Sequence, residues 1–434
     1  MPEFGRRFLQ HGQGAGTFLV AASDATLERR LASNWIGRGT ADDVDINAAI
    51  AAAGAGKVVL SEGEFNIAAD IVINTSATKL VGQGRGATIL TAQTGVTNAV
   101  IDIVTNTSAE LDDVTVMGLK MDVNNKTVDG IRVYCADATD YFAAWRLKLA
   151  DLDIRGVPST HHGIDIDACQ ASLLSNIFMN NVANGIRIRD FSKGGPMGNT
   201  LVENISVRNV LQNGIGLDFD SCEQIAGLHL HVLNPTDGPT GIVGIRAYRA
   251  AHVHIDFVDI ENVLVGIKCD GTDSPFDIAQ DISASGGYIG LKGSEETAQK
   301  GIHCTSESAQ CNFQRLHLDG GSQAGSIGFD DDGGYAAYNR FENGTIESWA
   351  TPATIAGTGK VRGNTGYVTE NSGTSTGTGA QQSIAHGLGA APTRVYLSNI
   401  EAAANAYQSA PADATNIYIL AGSGLDYVWR AEVV

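Results

Sequence analysis

Proline is scarce in this chain of 434 residues, with nine residues, and aromatic residues make up only 6% of it. Basic residues are also few, since 29 Lys and Arg stand against 48 Asp and Glu, for a formal net charge of −19. The low proline content argues against a proline-rich disordered chain. The acidic excess opposes binding to a phosphate backbone or an anionic bilayer, so we expect no nucleic-acid partner.

Long apolar runs and clustered cysteines are missing as well. No stretch of 18 apolar residues occurs, and residues 1–16 lack the apolar core of a secretory signal, so we expect no membrane insertion. The six cysteines show no Cys-x-x-Cys spacing. We therefore expect no cofactor and no metal, and we interpret Cys269 and Cys304 as small buried apolar residues.

Glycine is abundant instead, with 52 residues, and many of these glycines belong to a recurring Gly-Ile motif. The motif returns every 22–35 residues, and in six of its seven occurrences a charged residue or histidine follows the isoleucine. Its seven occurrences begin at residues 129, 162, 184, 213, 243, 265 and 300, with the sequences DGIRVY, HGIDID, NGIRIR, NGIGLD, VGIRAY, VGIKCD and KGIHCT. A repeat of this length indicates stacked structural units.

Between the motifs lie other short alternating stretches, such as NISVRNV from residue 204 and HVHIDFVDIEN from residue 252. Alternation of apolar and polar residues is typical of strands, and helical periodicity is almost absent after residue 55. A unit with two or three short strands and no helix matches one coil of a parallel β-helix. We expect the motif isoleucines to stack in one interior column: Ile131, Ile164, Ile186, Ile215, Ile245, Ile267 and Ile302.

The beginning of the chain carries the one helix signal. Residues 41–56, ADDVDINAAIAAAGAG, have Asp42 or Asp43 as N-cap, an apolar stripe that includes Ile46 and Ile50, and Gly54 as the stop. We expect this amphipathic helix to cover the open end of the β-helix.

This start resembles that of the pectin and pectate lyase-like right-handed parallel β-helix superfamily. The resemblance rests on GTADDVDINAAIAAAGAGKVVLSEGEFNI, which is followed by LVGQGRGATIL, and the Gly-Ile repeats extend it to about residue 366. It implies an all-β fold, a right-handed parallel β-helix with an N-terminal capping helix. That superfamily includes lyases, hydrolases, epimerases, viral tailspikes and binding-only fibres, so the resemblance does not fix the chemistry.

Composition divides the chain further. Residues 1–40 form an N-terminal attachment or cap segment, residues 41–366 the β-helix, residues 367–381 a Gly/Ser/Thr-rich linker, and residues 382–434 a small C-terminal β-sandwich. The last segment resembles C-terminal modules of phage tail fibres. It is too small to be very stable alone, and we expect a homotrimer to supply the missing burial.

Charged residues beside the motif isoleucines form the main candidate site. Asp165 and Asp167 precede Arg187 and Arg189 by one repeat, and we expect Asp167, Arg189 and Asp218 to alternate in sign along the outer surface. One interpretation is stacked charges that keep register. The other is a catalytic site in which Asp167, Arg189 and Asp218 act, with an acid and a base among them.

The substrate-binding candidates are Tyr134, Asp165, Arg187 and Tyr248, because outward aromatics stack on sugar rings and arginine holds an acidic sugar. His162 and Arg187 also match positions of the G-H-G and R-I-K motifs of polygalacturonase-like glycosidases. This chain lacks two motifs of that family, the Asn-Thr-Asp sequence and the Asp-Asp pair. Only Asp129 stands at the position of the first motif.

Histidines supply a second constellation. His229 and His231 alternate with apolar residues, and so do His252, His254 and Asp256. Such a set of side chains either binds a transition metal or forms a polar ladder on the surface. We favour the ladder.

The features together predict a viral tail fibre or tailspike-like protein. We expect it to bind host-surface polysaccharide, and its catalytic interpretation adds cleavage of that polysaccharide. We also expect it to form a homotrimer and to associate with other virion tail components. The alternatives are a secreted polysaccharide lyase or glycoside hydrolase, and a non-catalytic structural or adhesive fibre.

Overall fold

The computed structural model describes residues 16–105, 111–135, 144–167, 169–189, 199–235, 240–272, 278–290, 298–321, 323–333, 338–355, 360–365, 370–400 and 405–433. Within these, the chain divides into a first unit, residues 16–178, and a second unit, residues 179–433. In the described ranges, no helix is both long enough and apolar enough to cross a membrane.

The first unit begins with a short strand and two helices and continues almost entirely in strands. Its elements are β1 (Thr17–Ala21), α1 (Leu27–Ala32), β2 (Trp35–Ile36), α2 (Asp43–Ala53), β3 (Lys57–Leu60), β4 (Gly63–Ile67), β5 (Ile71–Ile73), β6 (Lys79–Val81), β7 (Thr88–Ala92), β8 (Ala99–Thr105), β9 (Leu111–Asp112), β10 (Thr115–Asp122), β11 (Asp129–Cys135), β12 (Ala144–Trp145), β13 (Lys148–Asp167) and β14 (Cys169–Gln170), and β15 (Leu173–Arg189) starts in it.

Parallel pairing arranges these strands in three sheets. The first sheet runs β1, β3, β6, β10 and β13; the second runs β4, β7 and the later parts of β10 and β13; the third runs β5, β8, β11 and the end of β13. One coil therefore visits each sheet once, as a parallel β-helix requires.

Helix α2 covers the start of this unit as the sequence predicts. Ile46 and Ala49 are fully buried and Ile50 nearly so, and the helix contacts β1, β3 and β5. Asp42 is the N-cap, but its carboxylate accepts hydrogen bonds from the amides of Gly39 (2.6 Å) and Asn66 (2.7 Å) instead of capping the helix. The N-cap residue thus fixes the neighbouring loop.

Residues 17–36, which fall in the segment predicted as an attachment or cap, extend the first sheet. Thr17 to Val20 pair in parallel with Lys57 to Leu60, and β2 pairs with β1. The predicted segment at residues 1–15 lies outside the described residues.

The second unit repeats the same three-sheet pattern. Its elements after β15 are β16 (Thr200–Val210), β17 (Ile215–Asp220), β18 (Glu223–Leu233), β19 (Val243–Tyr248), β20 (Ala251–Glu261), β21 (Val265–Asp270), β22 (Ala279–Gly290), β23 (Lys300–Cys304), β24 (Ser308–Ala309), β25 (Asn312–Asp319), β26 (Ile327–Asp331), β27 (Arg340–Glu342), β28 (Thr345–Glu347), β29 (Thr351–Ile355), β30 (Lys360–Arg362), β31 (Glu370–Thr376), β32 (Gln381–Ala385), β33 (Arg394–Asn399), β34 (Tyr407–Ala410), β35 (Asn416–Leu420) and β36 (Asp426–Glu432).

Five long strands of this unit each take part in two sheets: β16, β18, β20, β22 and β25. Each of them bends between the two sheets at a residue whose backbone is in the left-handed conformation. The bend residues are Asn204, His229, Phe257, Gly286 and Arg315, all with positive φ. The first sheet lies before the bend and the second after it. The third sheet runs β15, β17, β19, β21, β23, β26 and β29.

The C-terminal module consists of two antiparallel three-stranded sheets, β31–β36–β33 and β32–β35–β34. They enclose an apolar core that includes Ile417, Tyr427 and Trp429. Strand β31 lies in the segment whose composition predicts a linker, because pairing with β36 uses backbone groups that do not depend on apolar side chains. The predicted fold class, an all-β parallel β-helix with a helical cap and a small C-terminal β-sandwich, is confirmed.

The isoleucine columns exist within each unit, with one correction. Ile131 pairs with Ile164 in the first unit, and Ile245, Ile267 and Ile302 follow one another in the second. Ile186, however, pairs with Leu217, while Ile215 is half-buried. The expected place of Ile215 in the column is wrong, because the aligned glycine of NGIGLD is Gly216 and not Gly214.

Close approach of neighbouring coils explains why the motif needs glycine. A Cβ on Gly216, Gly244 or Gly266 would lie less than 3.0 Å from the carbonyl oxygen of the corresponding glycine one coil further along. None of these three glycines has positive φ. The requirement is therefore space between coils and not a left-handed backbone.

Candidate functional site

Outward positions of the third sheet in the first unit carry a cluster of charged side chains. Asp102, Arg132 and Asp165 are register partners on β8, β11 and β13, each next to an inward isoleucine. Arg132 binds Asp102 through both of its donors, Nε to Oδ1 and Nη2 to Oδ2, each at 2.9 Å. This bidentate pair neutralises Asp102, and Asp165 lies on the other side of Arg132 in the register.

Asp129 lies two positions before the motif isoleucine of β11, and its environment differs from that of Asp102. Its Oδ1 accepts a hydrogen bond from the backbone amide of His162 at 2.7 Å, and the Nδ1 of His161 lies 3.4 Å away. Burial raises the pKa of Asp129, the His162 amide opposes this, and the negative charge of Asp165 raises it further. Asp129 thus keeps its proton to higher pH than an ordinary aspartate.

Asp129, His161, His162 and Asp165 are named here the acidic patch. The side chain of Asp165 is 5% exposed and that of the neighbouring Asp167 is 7% exposed. Both were expected to point into solvent, but the structure buries them on the outer side of the sheet. Two shielded carboxyl groups, one of which has a raised pKa, are the groups that acid–base catalysis at a glycosidic bond uses.

Tyr134 follows Arg132 on the same strand and is 37% exposed. The Arg132 guanidinium lies 4.9 Å from the centre of its ring. A ring held by a cation and partly open to solvent suits stacking on a sugar.

The second unit carries a different arrangement at the matching outward positions. Arg187, Asp218 and Arg246 are register partners on β15, β17 and β19. Arg246 binds Asp218 through Nε at 2.8 Å and Nη2 at 2.7 Å. Burial raises the pKa of Asp218, and the Arg246 hydrogen bonds and charge oppose that rise. We name these three residues the paired patch.

The expected alternation of Asp167, Arg189 and Asp218 is not the one observed. Arg189 pairs in register with Asp220, and Arg187 with Asp218. The column contains Leu217 instead of Ile215, a shift of two residues, so each predicted partner moves by two positions. Its side chain therefore keeps the same face but has a different neighbour. Asp167 belongs to the first unit.

Tyr248, two positions after Arg246, is half-buried beside two guanidinium groups. Arg246 lies 5.2 Å and Arg249 lies 4.7 Å from its ring centre. Arg249 also binds Asp220 at 3.2 Å. Less of this ring is therefore open than sequence reasoning assumed.

Further along the third sheet of the second unit, His303, Asp330 and Asp332 offer ligand atoms within 4.8 Å of one another. The Lys300 ammonium already binds Asp330 at 2.5 Å and lies 3.0 Å from the Nε2 of His303. The Lys300 ammonium group thus already supplies a positive charge to these three side chains, which favours an ion pair over a metal site.

The predicted histidine constellation does not share one face. His229 is a bend residue with φ of 52°, His231 lies on the second sheet near Asp259 (3.3 Å), and His252 lies near Asp281 (2.8 Å). Bends in the strands interrupt the alternation of inward and outward side chains from which the histidine cluster was predicted.

Sequence reasoning missed a pocket of about 320 Å³ on the first sheet of the second unit. It is lined by Asp281, Gln310, Asn312, Tyr338 and Arg340. Tyr338 is 54% exposed. These residues lie outside the Gly-Ile motifs, and the short alternation of YNRFE at residues 338–342 is the signal that could have indicated them.

No protein-family model matches the chain, and no curated protein matches it. Among solved structures, it is similar to the endo-xylogalacturonan hydrolase of Aspergillus tubingensis, with 11% identity over 81% of this chain and 97% of that one, and a TM-score of 0.50. It is also similar to the tailspike protein of an Acinetobacter phage, with 11% identity over 91% of this chain and 84% of that one, and a TM-score of 0.50. These similarities define the class of protein by fold, the parallel β-helix, and leave the chemistry to the site.

Proposed function

We propose that this protein is a tailspike-type polysaccharide-binding protein that hydrolyses glycosidic bonds at the acidic patch. The observation that carries the proposal is Asp129, a buried carboxyl with a raised pKa beside a second shielded carboxylate, Asp165. Two structural neighbours, a tailspike and a polysaccharide hydrolase, support the choice of substrate class.

In the proposed reaction, Asp129 donates its proton to the oxygen of the leaving sugar as the bond from that oxygen to the anomeric carbon breaks. Asp165 either takes a proton from the water that attacks the anomeric carbon or forms a bond to that carbon itself, which water then hydrolyses. The His162 amide holds the Asp129 carboxyl in place at 2.7 Å. Tyr134 supplies a stacking surface next to this pair. Asp218 is less suited to proton transfer, since both of its oxygens accept hydrogen bonds from Arg246.

The test measures release of reducing ends from a panel of bacterial surface polysaccharides, with unsaturated products followed in parallel by ultraviolet absorbance. The wild type should release reducing ends, and Asp129→Asn should lower the rate by at least about 100-fold, the smaller end of the usual acid–base contribution. Asp113→Asn is the matched control, because Asp113 is an exposed carboxylate of the same unit that pairs with Arg146. Equal rates in Asp129→Asn and the wild type would reject the assignment, and unsaturated products would indicate a lyase instead.

A second candidate is a binding-only fibre. Outward carboxylates in both units already bind cations, as in Asp102–Arg132, Asp218–Arg246 and Asp330–Lys300, which favours a static charged surface. Binding on a glycan array without any cleavage would select this function. The proposed binding roles of Tyr134, Arg187 and Tyr248 apply to either candidate.

Assembly as a homotrimer in a virion tail is also proposed. The C-terminal module supports it, because Tyr396, Ile400 and Tyr407 are each about half exposed there. Exposed apolar side chains of this size favour association. A mass in solution of three times 45.4 kDa is expected, and a stable monomer would favour the secreted-enzyme alternative.

A further inference from the structure

One interior column of the second unit changes from apolar to chemically reactive side chains. On the inward positions of the third sheet, Cys269 pairs in register with Cys304, and Cys304 pairs with Asp331. All three side chains are 0% exposed. Alternation along β23 and β26 directs Cys304 and Asp331 into the same interior, while His303 and Asp330 face outward.

A third thiol reaches this point from the following corner of the coil. Cys311 precedes β25 and is also fully buried. The sulfur atoms of Cys269, Cys304 and Cys311 all lie within 4.8 Å of one another, and none of the three forms a disulfide. Sulfurs around a tetrahedral zinc ion lie about 3.8 Å apart, given Zn–S bonds of about 2.3 Å, so small side-chain movements would suffice.

Asp331 supplies the second, independent observation. Its Oδ1 accepts hydrogen bonds from the Asn339 side chain (3.1 Å) and the Gly333 amide (3.2 Å). Its Oδ2 is buried and has no hydrogen-bond partner. A buried carboxylate oxygen without a donor is costly, and a cation would satisfy it.

We propose that Cys269, Cys304 and Cys311 bind a thiophilic divalent cation such as zinc inside the β-helix, and that the carboxylate of Asp331, the register partner of Cys304, turns toward the ion as the fourth ligand. Three thiolates and a carboxylate exceed the charge of the ion by two, the same excess as in a four-cysteine zinc site. Binding releases the thiol protons to solvent. The ion would cross-link β21, β23, β26 and the corner at Cys311, and its role is structural. This site is independent of the proposed polysaccharide chemistry.

The experiment uses the full chain, purified without a histidine tag, reduced, and freed of metal by a chelator. Zinc content after dialysis against zinc is measured by elemental analysis, and Cd²⁺ titration is followed by sulfur-to-cadmium charge-transfer absorbance. The wild type should take up about one zinc per chain, melt at a higher temperature with zinc than without it, and give the charge-transfer band.

Cys311→Ser and Asp331→Asn should each weaken zinc binding at least about tenfold, and Cys311→Ser should reduce the cadmium band. Cys222→Ser is the matched control, because Cys222 is a fully buried cysteine of the same unit outside the cluster. Circular dichroism verifies that the variants fold. Absence of zinc uptake by reduced wild-type protein, a disulfide among the three cysteines, or equal weakening in Cys222→Ser would each overturn the proposal.

Discussion

Two buried carboxyl groups on strands of the third sheets, Asp129 in the first unit and Asp218 in the second, differ in their hydrogen-bond partners. Both have a pKa raised by burial. Asp218 accepts two charge-assisted hydrogen bonds from Arg246. Asp129 accepts a hydrogen bond from the backbone amide of His162, and both the Nδ1 of His161, at 3.4 Å, and a second carboxylate, Asp165, lie near it. The same fold thus places one carboxyl group in an ion pair with an arginine and the other beside a second carboxylate.

The comparison shows that stacking alone does not decide the function of an outward residue. A repeat always brings equivalent side chains together, and opposite charges then neutralise one another. The contacts of each residue then differ from coil to coil, since Arg132 binds Asp102 through two hydrogen bonds, whereas Asp129 accepts one from the backbone amide of His162.

The largest expected effect is on catalysis. Asp165→Asn should lower glycan cleavage by at least about 100-fold, because the site loses its base or nucleophile. Asp218→Asn should lower it far less and should mainly reduce thermal stability. Reducing-end assays on both variants decide this, and the reverse outcome would move the active site to the paired patch.

Among the changes in stability, the largest is expected when the guanidinium group of Arg246 is removed from the paired patch. Arg246→Met leaves Asp218 buried without its counter-ion, which should lower the free energy of unfolding by about 3 kcal/mol. Arg146→Met, which breaks the exposed pair with Asp113, should change it little. Urea unfolding monitored by circular dichroism measures both, and similar losses would show that burial does not distinguish the pairs.

The two tyrosines should differ in glycan binding by a smaller amount. Tyr134→Ala should weaken binding by about 1 kcal/mol, roughly fivefold, because it removes a stacking surface. Tyr248→Ala should weaken it less, since Arg246 and Arg249 already contact that ring. Calorimetric titration with a bound oligosaccharide compares them, and a greater loss in Tyr248→Ala would place the glycan on the paired patch.

The smallest effect concerns the pH dependence of stability. Because its pKa is raised by folding, Asp129 contributes stability that is fully present below the ordinary aspartate pKa and is lost as pH rises through the raised value. Asp129→Asn should therefore gain stability relative to the wild type between about pH 4 and pH 8. Urea unfolding at both pH values checks the sign, and a relative loss toward pH 8 would mean that the Asp129 pKa is not raised.

Regular features of the fold were predictable because they repeat. Helix α2 has its apolar stripe where the sequence predicts it, and Ile131, Ile164, Ile245 and Ile267 lie in the interior. The register of NGIGLD was not predictable, since Gly214-Ile215 and Gly216-Leu217 both resemble the motif, and only the pairing with the neighbouring coils places Leu217 in the column.

Site residues were harder to predict, because their roles depend on neighbours that are distant in sequence. Asp129 appeared only as a departure from a polygalacturonase motif, and its raised pKa arises from burial and from Asp165, 36 residues later. Cys311 follows no Gly-Ile motif, yet it meets Cys269 and Cys304 inside the coil.

Sequence alone determined that the chain forms coils with an apolar interior, because alternation and the Gly-Ile repeat act locally and recur in every unit. Tertiary structure alone decided which outward carboxylate binds an arginine, which buried carboxyl group lies near a second carboxylate, and where three thiols and an unpartnered carboxylate oxygen come together. The physical reason is that burial and charge pairing depend on the residue one coil away, at a separation that varies from 22 to 35 residues.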